Sequence, residues 1–251
     1  MNEWRIRFGL TGPDLHDDRD RYKSPEPRGG IEPVDLSDDL EIRPTDQGDT
    51  NSCVGHAAAK LSAACMSKTG IGKGIRFSAL DLYAAARSDL DTDRGTSLRS
   101  GAMACVRHGA APGSIWPSDT DPRFPPETRR SYPQDRRYYL PEVERLADAE
   151  KLLRVLSLER VPVLTGIALQ DAATDEMLRT GFAPRYDPDD SVIGHHAEIA
   201  VGWDRFEGRE WIKWCGSWGR DAGEGGYYWR PLEYVENGTV MDMWTVGKKF
   251  F

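Results

Sequence analysis

The 251-residue sequence contains no apolar run approaching the roughly 20 residues that cross a bilayer, so no helical membrane span is expected. It also lacks a basic excess. Lys and Arg number 33 against 41 Asp and Glu, for a formal net charge of -8, and a surface of that sign disfavours nucleic acid as a partner. Cysteine is scarce: Cys53, Cys65, Cys105 and Cys215, with no CxxC pair and no Cys/His ladder at zinc spacing. Neither a disulfide framework nor a metal site is expected, and nothing indicates a cofactor. The opening stretch, MNEWRIRFGLTGPDLHDDRDRY, lacks the apolar core of a secretory signal, so a cytoplasmic protein is expected. The Asn237 sequon then carries no meaning. No internal repeat is visible.

What is present is organised in two halves. Residues 1–43 are polar and rich in Asp, Arg and Pro, and they read as an extended arm. From Ser52 the spacing of Val54, Ala57, Ala58, Leu61, Ala64 and Cys65 predicts a helix, with Asn51 or Ser52 as its N-cap. Two more helices are expected, in SALDLYAAARS with Ser78 and Asp81 as a capping box, and in SLRSGAMACVRHG up to Gly109. Six prolines between 112 and 139 exclude regular structure there. A helix near 146–157 precedes VPVLTGIAL, a buried strand, and then the alternating, aromatic strands HAEIAVGWDRF, EWIKWCGSW and GGYYWRP. Helices followed by strands define an α+β chain with a helical lobe and a sheet lobe, and a cleft between them is where a ligand site is expected.

Cys53 falls at the start of the first helix, where unpaired N–H groups and the helix dipole favour the thiolate. Gln47, six residues earlier in a glycine-marked turn, can aim its amide at the oxygen of a carbonyl that Cys53 attacks. Together with the Cys53 backbone N–H it would form an oxyanion hole, worth about 3 kcal/mol per donor. A buried packing cysteine is the plain alternative, and only a general base separates the two. Of five histidines, His16 lies in the polar arm, His108 at a helix end and His56 on the first helix, packed beneath the site. His195 and His196 begin a strand and point to opposite faces, so one of them can face the cleft. Cys65 and Cys105 fall on apolar helix faces as buried thiols.

These segments together resemble the papain-like cysteine peptidases. DQGDTNSC resembles the nucleophile segment at Gln47, Gly48, Ser52 and Cys53, and HHAEIAVGWD resembles the strand of the catalytic histidine, with Ala197 marking His196. GSWGRDAGEGGYYW resembles the third conserved block at Ser217, Trp218, Gly219, Gly226 and Tyr227. Cys53 and His196 are separated by an interval within the about 130–150 residues described for such enzymes. GTSLRSGAMACVRHGAAPGSIWPSD and GPDLHDDRDRY look like bacterial members with a short N-terminal extension. The resemblance implies a two-lobe fold with a single catalytic domain at 44–251, mainly helical over 44–118 and mainly an antiparallel sheet or barrel over 119–251. It implies a peptide or protein substrate, with Gly95, Thr96, Ser97 and Trp218 lining the cleft. It also implies that the arm lies in the cleft as an intramolecular inhibitor; an arm that only covers the lobe interface is the alternative.

The sequence departs from the family where the orienting asparagine precedes Ser-Trp-Gly. That position is Gly216, so the imidazole must be oriented by water, a backbone carbonyl or another side chain. The tryptophan after the nucleophile is Val54, a later family tryptophan is Ala222, and the cysteine three before the nucleophile is Thr50, so the family disulfide cannot form. Three outcomes stay open at this stage: a cysteine endopeptidase, an impaired relative that binds peptides or a protein partner, and a thiol acyltransferase that begins with the same thioester.

Overall fold

The computed structural model describes residues 7–23, 30–247 and 250. A two-residue strand, β1 (Val34–Asp35), precedes the helical lobe of α1 (Cys53–Lys68), α2 (Ala79–Ala86) and α3 (Leu98–Arg107). Helix α1 is buried on nearly every side, which is why its sequence is alanine-rich: small side chains let α2 and α3 approach. Ser78 and Ser97 cap α2 and α3 by accepting from the N–H groups of Asp81 (3.1 Å) and Ser100 (3.2 Å), each cap being worth about 1 kcal/mol. Ser52 takes the N-cap position of α1, but its hydroxyl is engaged with Thr50 Oγ1 at 2.6 Å and forms no cap.

The proline-rich connection is more regular than its composition suggests. It holds a short helix, α4 (Glu127–Ser131), and 3-10 turns at Gly113–Ile115 and Gln134–Arg136. Each starts immediately after a proline, whose fixed φ suits entry into a helical turn even though it forbids continuation through it.

The sheet lobe contains β2 (Val143–Arg145), α5 (Ala149–Arg154), β3 (Val163–Gln170), α6 (Asp171–Thr180), β4 (Val192–Phe206), β5 (Arg209–Cys215), β6 (Tyr227–Pro231), α7 (Glu233–Glu236) and β7 (Val240–Val246). Helix α5 continues through a π-helical turn, Val155–Glu159. Neither α6 nor β7 was expected. The strand order is β2-β7-β3-β4-β5-β6, with every pairing antiparallel, and β1 joins β4 opposite Trp203 and Gly202. Through β1 and the buried Leu36, Leu40 and Ile42, the last part of the sequence that reads as an arm belongs to the core of the sheet lobe. The part of that arm at 1–6 and 24–29 lies outside the described residues.

Candidate active site

Two elements bring the site together. The turn before α1 presents Cys53 as the first residue of the helix, and β4, packed against α1, carries His196 opposite Ile167 of β3. The period-two alternation of β4 turns His195 to the other face. The backbones of Ala197, Gly9 and Val54 lie close enough to the Cys53 sulfur to favour its thiolate, so the thiol sits beside the residue that follows His196.

A lowered thiol pKa was expected from the helix start, and the structure reverses it. Cys53 is fully buried, and burial, outweighing the nearby backbone groups, pushes its thiol up to about 12. The covering comes from the N-terminal segment. Gly9 lies so close over the thiol that a Cβ on it would come within 2.9 Å of Sγ and 1.9 Å of the Asn51 carbonyl oxygen. Its neighbours hold it there. Thr96 N–H donates to the Gly9 carbonyl at 2.9 Å, Thr11 N–H donates to the Thr96 carbonyl at 3.2 Å, and Leu10 pairs with Thr96 as a parallel bridge. Leu10 is buried over Gly166, next to Leu98. Further along, Asp14 N–H donates to Asp242 (2.6 Å) while its carboxylate accepts from Arg99 N–H (2.9 Å) and Trp244 Nε1 (3.2 Å). Lys23 closes the segment against Glu159 at 2.7 Å.

His196 is fully buried and stacks on Trp218, with ring centroids 4.1 Å apart and planes 21° apart. The Arg7 carbonyl approaches the ring, yet neither ring nitrogen forms a hydrogen bond among the described residues. Burial first, then the nearby charges of Arg230 and Lys60, hold the imidazole well below its ordinary pKa. In this state Cys53 is therefore a thiol and His196 a neutral imidazole, adjacent but without the expected pairing.

Gln47 is buried between two partners: Nε2 donates to the Thr50 carbonyl at 2.8 Å, and Oε1 accepts from the Ser217 hydroxyl at 2.6 Å. This ties the turn before α1 to the Ser217–Trp218 loop, reinforced by Gln47 N–H to the Ser217 carbonyl at 2.9 Å. Of the four residues expected to line the cleft, Gly95 and Thr96 face the N-terminal segment, the Ser97 hydroxyl is spent on capping α3, and Trp218 lies against the His196 ring. His56, on α1, is held by Thr45 Oγ1 at 2.8 Å.

Sequence reasoning missed the charged layer beneath the site. Lys60, buried on α1, donates to the Gly216 carbonyl at 2.9 Å. Glu198, two residues beyond His196, forms a bidentate buried pair with Arg230, at 2.5 and 3.2 Å. The alternation His196–Glu198 along a strand was the available signal, since it puts both on one face, but the partner Arg230 comes from a strand two places away. A cavity of about 680 Å³ lies elsewhere, between α1 and the segments 74–79 and 112–119, and not over Cys53, where the N-terminal segment fills the cleft. Among the described residues, no group of three or more His, Cys, Asp or Glu could hold a metal ion.

A helical lobe, an antiparallel sheet lobe and a cysteine at a helix start beside a histidine on the central sheet are the features of the papain-like cysteine proteases, and the chain is papain-like in its fold. Xylellain, a cysteine protease from Xylella fastidiosa, matches it with a TM-score of 0.81 and 26% identity, over 96% of this chain and 95% of that one. Procathepsin L2 proteinase from the Tenebrio molitor larval midgut matches at 0.75 with 17% identity, over 96% and 78% of the two chains. Procathepsin B S9 from Trypanosoma congolense matches at 0.74 with 14% identity, over 95% and 86%. No family model and no curated protein matches the sequence.

Proposed function

We propose that the chain is a cysteine peptidase held closed by its own N-terminal segment. The observation that carries this reading is Gly9 lying on the Cys53 sulfur while Leu10 is paired to Thr96 in the cleft between the lobes. The likeness to xylellain, a cysteine protease, supports it.

The chemistry follows from what changes when the segment leaves. Water reaches Cys53, the burial penalty falls, and the start of α1 again favours the thiolate. His196, next to the thiol through Ala197, takes its proton. The thiolate attacks the carbonyl carbon of a peptide lying along Gly95–Thr96, whose backbone can pair with it as an added strand. The Gln47 amide, held in place by Ser217 and Thr50, and the Cys53 N–H receive the oxyanion. The C–N bond then breaks and His196 returns the proton to the leaving amine. Water hydrolyses the remaining thioester, releasing the acid and restoring the thiol.

Gly216 and the unbonded imidazole favour a second reading, a protein that binds peptides without cleaving them. Incubation of the full-length chain and its Gly9→Ala variant with a peptide mixture, analysed by mass spectrometry, separates the two. New peptide termini that appear with Gly9→Ala and vanish with an added Cys53→Ala support the peptidase. Peptides retained intact by both proteins refute it, and products joined to an added amine identify acyl transfer.

A further inference from the structure

His196 lacks the asparagine that orients the imidazole in the family, and the space such a side chain would use is filled. A Cβ at Gly216 would lie 2.4 Å from both Oη and Cε2 of Tyr228 and 2.7 Å from Cζ. The backbone at Gly216 does not demand glycine, because its φ is not positive. It is the Tyr228 ring that excludes any larger residue.

Tyr228 is fully buried and its hydroxyl has no hydrogen-bond partner among the described residues. A buried polar group in that condition calls for a specific role. The sheet register places it. Tyr228 on β6 stands opposite Trp214 on β5, which stands opposite Ala200 on β4, and Glu198 and His196 follow Ala200 at two-residue steps along the same face. Trp218 touches both rings, with centroids 4.1 Å from His196 and 5.8 Å from Tyr228.

Most other polar groups of this layer are occupied. Both oxygens of Glu198 accept from Arg230, Lys60 donates to the Gly216 carbonyl, and Gln47 and Ser217 are bonded to each other. His56 on α1 is tied to Thr45 through Nδ1 and keeps Nε2 without a partner among the described residues, and the Trp218 indole, likewise unpartnered, can only donate. Burial holds the Tyr228 hydroxyl well above its ordinary pKa, so it stays neutral and keeps its oxygen lone pairs.

We propose that the Tyr228 hydroxyl is the positioning group for His196, standing in space and in role where the family's asparagine carboxamide would stand. The proposal rests on the peptidase reading above. As the Cys53 proton passes to His196, the imidazolium N–H facing the sheet gains an acceptor in Tyr228, and the ring is held with its other nitrogen toward the sulfur.

The test uses the full-length chain carrying Gly9→Ala, so that Cys53 is accessible. Alkylation of Cys53 by iodoacetamide is followed by peptide mass across pH 4 to 9, with Tyr228, Tyr228→Phe and His196→Ala compared. The expected result is a Cys53 reactive well below the free-thiol pKa of about 8.5, with that low-pH reactivity abolished by His196→Ala. Tyr228→Phe should lower the rate near pH 6 by about 10-fold or more and move the profile toward that of a free thiol, with kcat reduced and KM little changed. In a second pair, Tyr228→Ala should be impaired and Tyr228→Ala with Gly216→Asn restored, because the carboxamide then has room. Superimposable profiles for Tyr228 and Tyr228→Phe overturn the role of Tyr228 and leave the peptidase reading intact. So does a double variant no better than Tyr228→Ala. A profile indifferent to His196→Ala removes both.

Discussion

Gly9→Ala is the most direct perturbation of the closed state, because it adds one methyl group where there is no space. The new carbon would lie 1.9 Å from the Asn51 oxygen and 2.4 Å from the Asn51 carbonyl carbon, against a comfortable separation of about 3.5 Å. Both atoms are backbone, and their loop is fastened by Asn51 N–H to Asp93 at 2.9 Å and Asn51 Nδ2 to the Asp93 carbonyl at 2.6 Å. The segment over the thiol must therefore be the part that moves. In moving it gives up two backbone hydrogen bonds to Thr96 and the burial of Leu10. At about 1 kcal/mol per bond and about 2 kcal/mol for the leucine, this local closure is worth about 4 kcal/mol. That corresponds to roughly one open molecule in 10³ for the wild type. A variant that cannot close should show Cys53 alkylation and peptide cleavage raised about 100-fold or more. The anchors at Asp14 and Lys23 lie beyond the perturbed stretch and stay in place, but a variant that cannot close forgoes the closure energy, so its melting temperature should fall by roughly 8–16 °C, at about 2–4 °C per kcal/mol. An alkylation rate within about twofold of wild type, in a variant shown to be folded, would refute the idea that this segment keeps Cys53 from solvent.

The pH dependence of the thiol should differ between the two states. With Cys53 pushed up to about 12, the wild-type alkylation rate should still be climbing at pH 9, whereas Gly9→Ala should already be on a plateau; stopped-time mass spectrometry distinguishes the curves. Asp81 offers a stability test away from the cleft. Burial alone would raise its pKa, but hydrogen bonds from His108 and Arg137 (2.5 Å), with their charges, hold it below the usual carboxylate value. A lowered folded-state pKa means the carboxylate stabilises the fold above its unfolded pKa of about 3.9 and loses that contribution as pH falls through the folded value. Asp81→Asn leaves Arg137 buried without its counter-charge and should cost about 3–5 kcal/mol at pH 7. The gap in melting temperature between variant and wild type should narrow as the pH is taken below 4.

Much of the architecture was legible because local signals agreed. The alanine-rich spacing after Ser52, the Ser78/Asp81 box and the run up to Gly109 each produced the helix they predict, and the β-branched run at 163–170 produced β3. Helix α6 went unseen although Gly181 ends it in a left-handed conformation, because its buried face, Ala173, Thr174, Met177 and Leu178, is short and interrupted by a threonine. The three proline-led turns were missed because a proline that blocks a helix interior also opens a helix.

The sequence by itself determined the order of helices before strands and the placement of a cysteine at a helix start; strand alternation allowed one of His195 and His196 to face the cleft, and the resemblance at Ala197 chose His196. Those are local properties, set by spacing and by residues a few positions apart. Only the tertiary structure decided the state of the site. That Gly9 seals Cys53, that Lys60 and the Glu198–Arg230 pair lie beneath His196, and that Tyr228 fills the place left by Gly216 all depend on contacts between distant segments. Burial, which raises the thiol and lowers the imidazole, arises from that assembly and has no signature in any one stretch of chain.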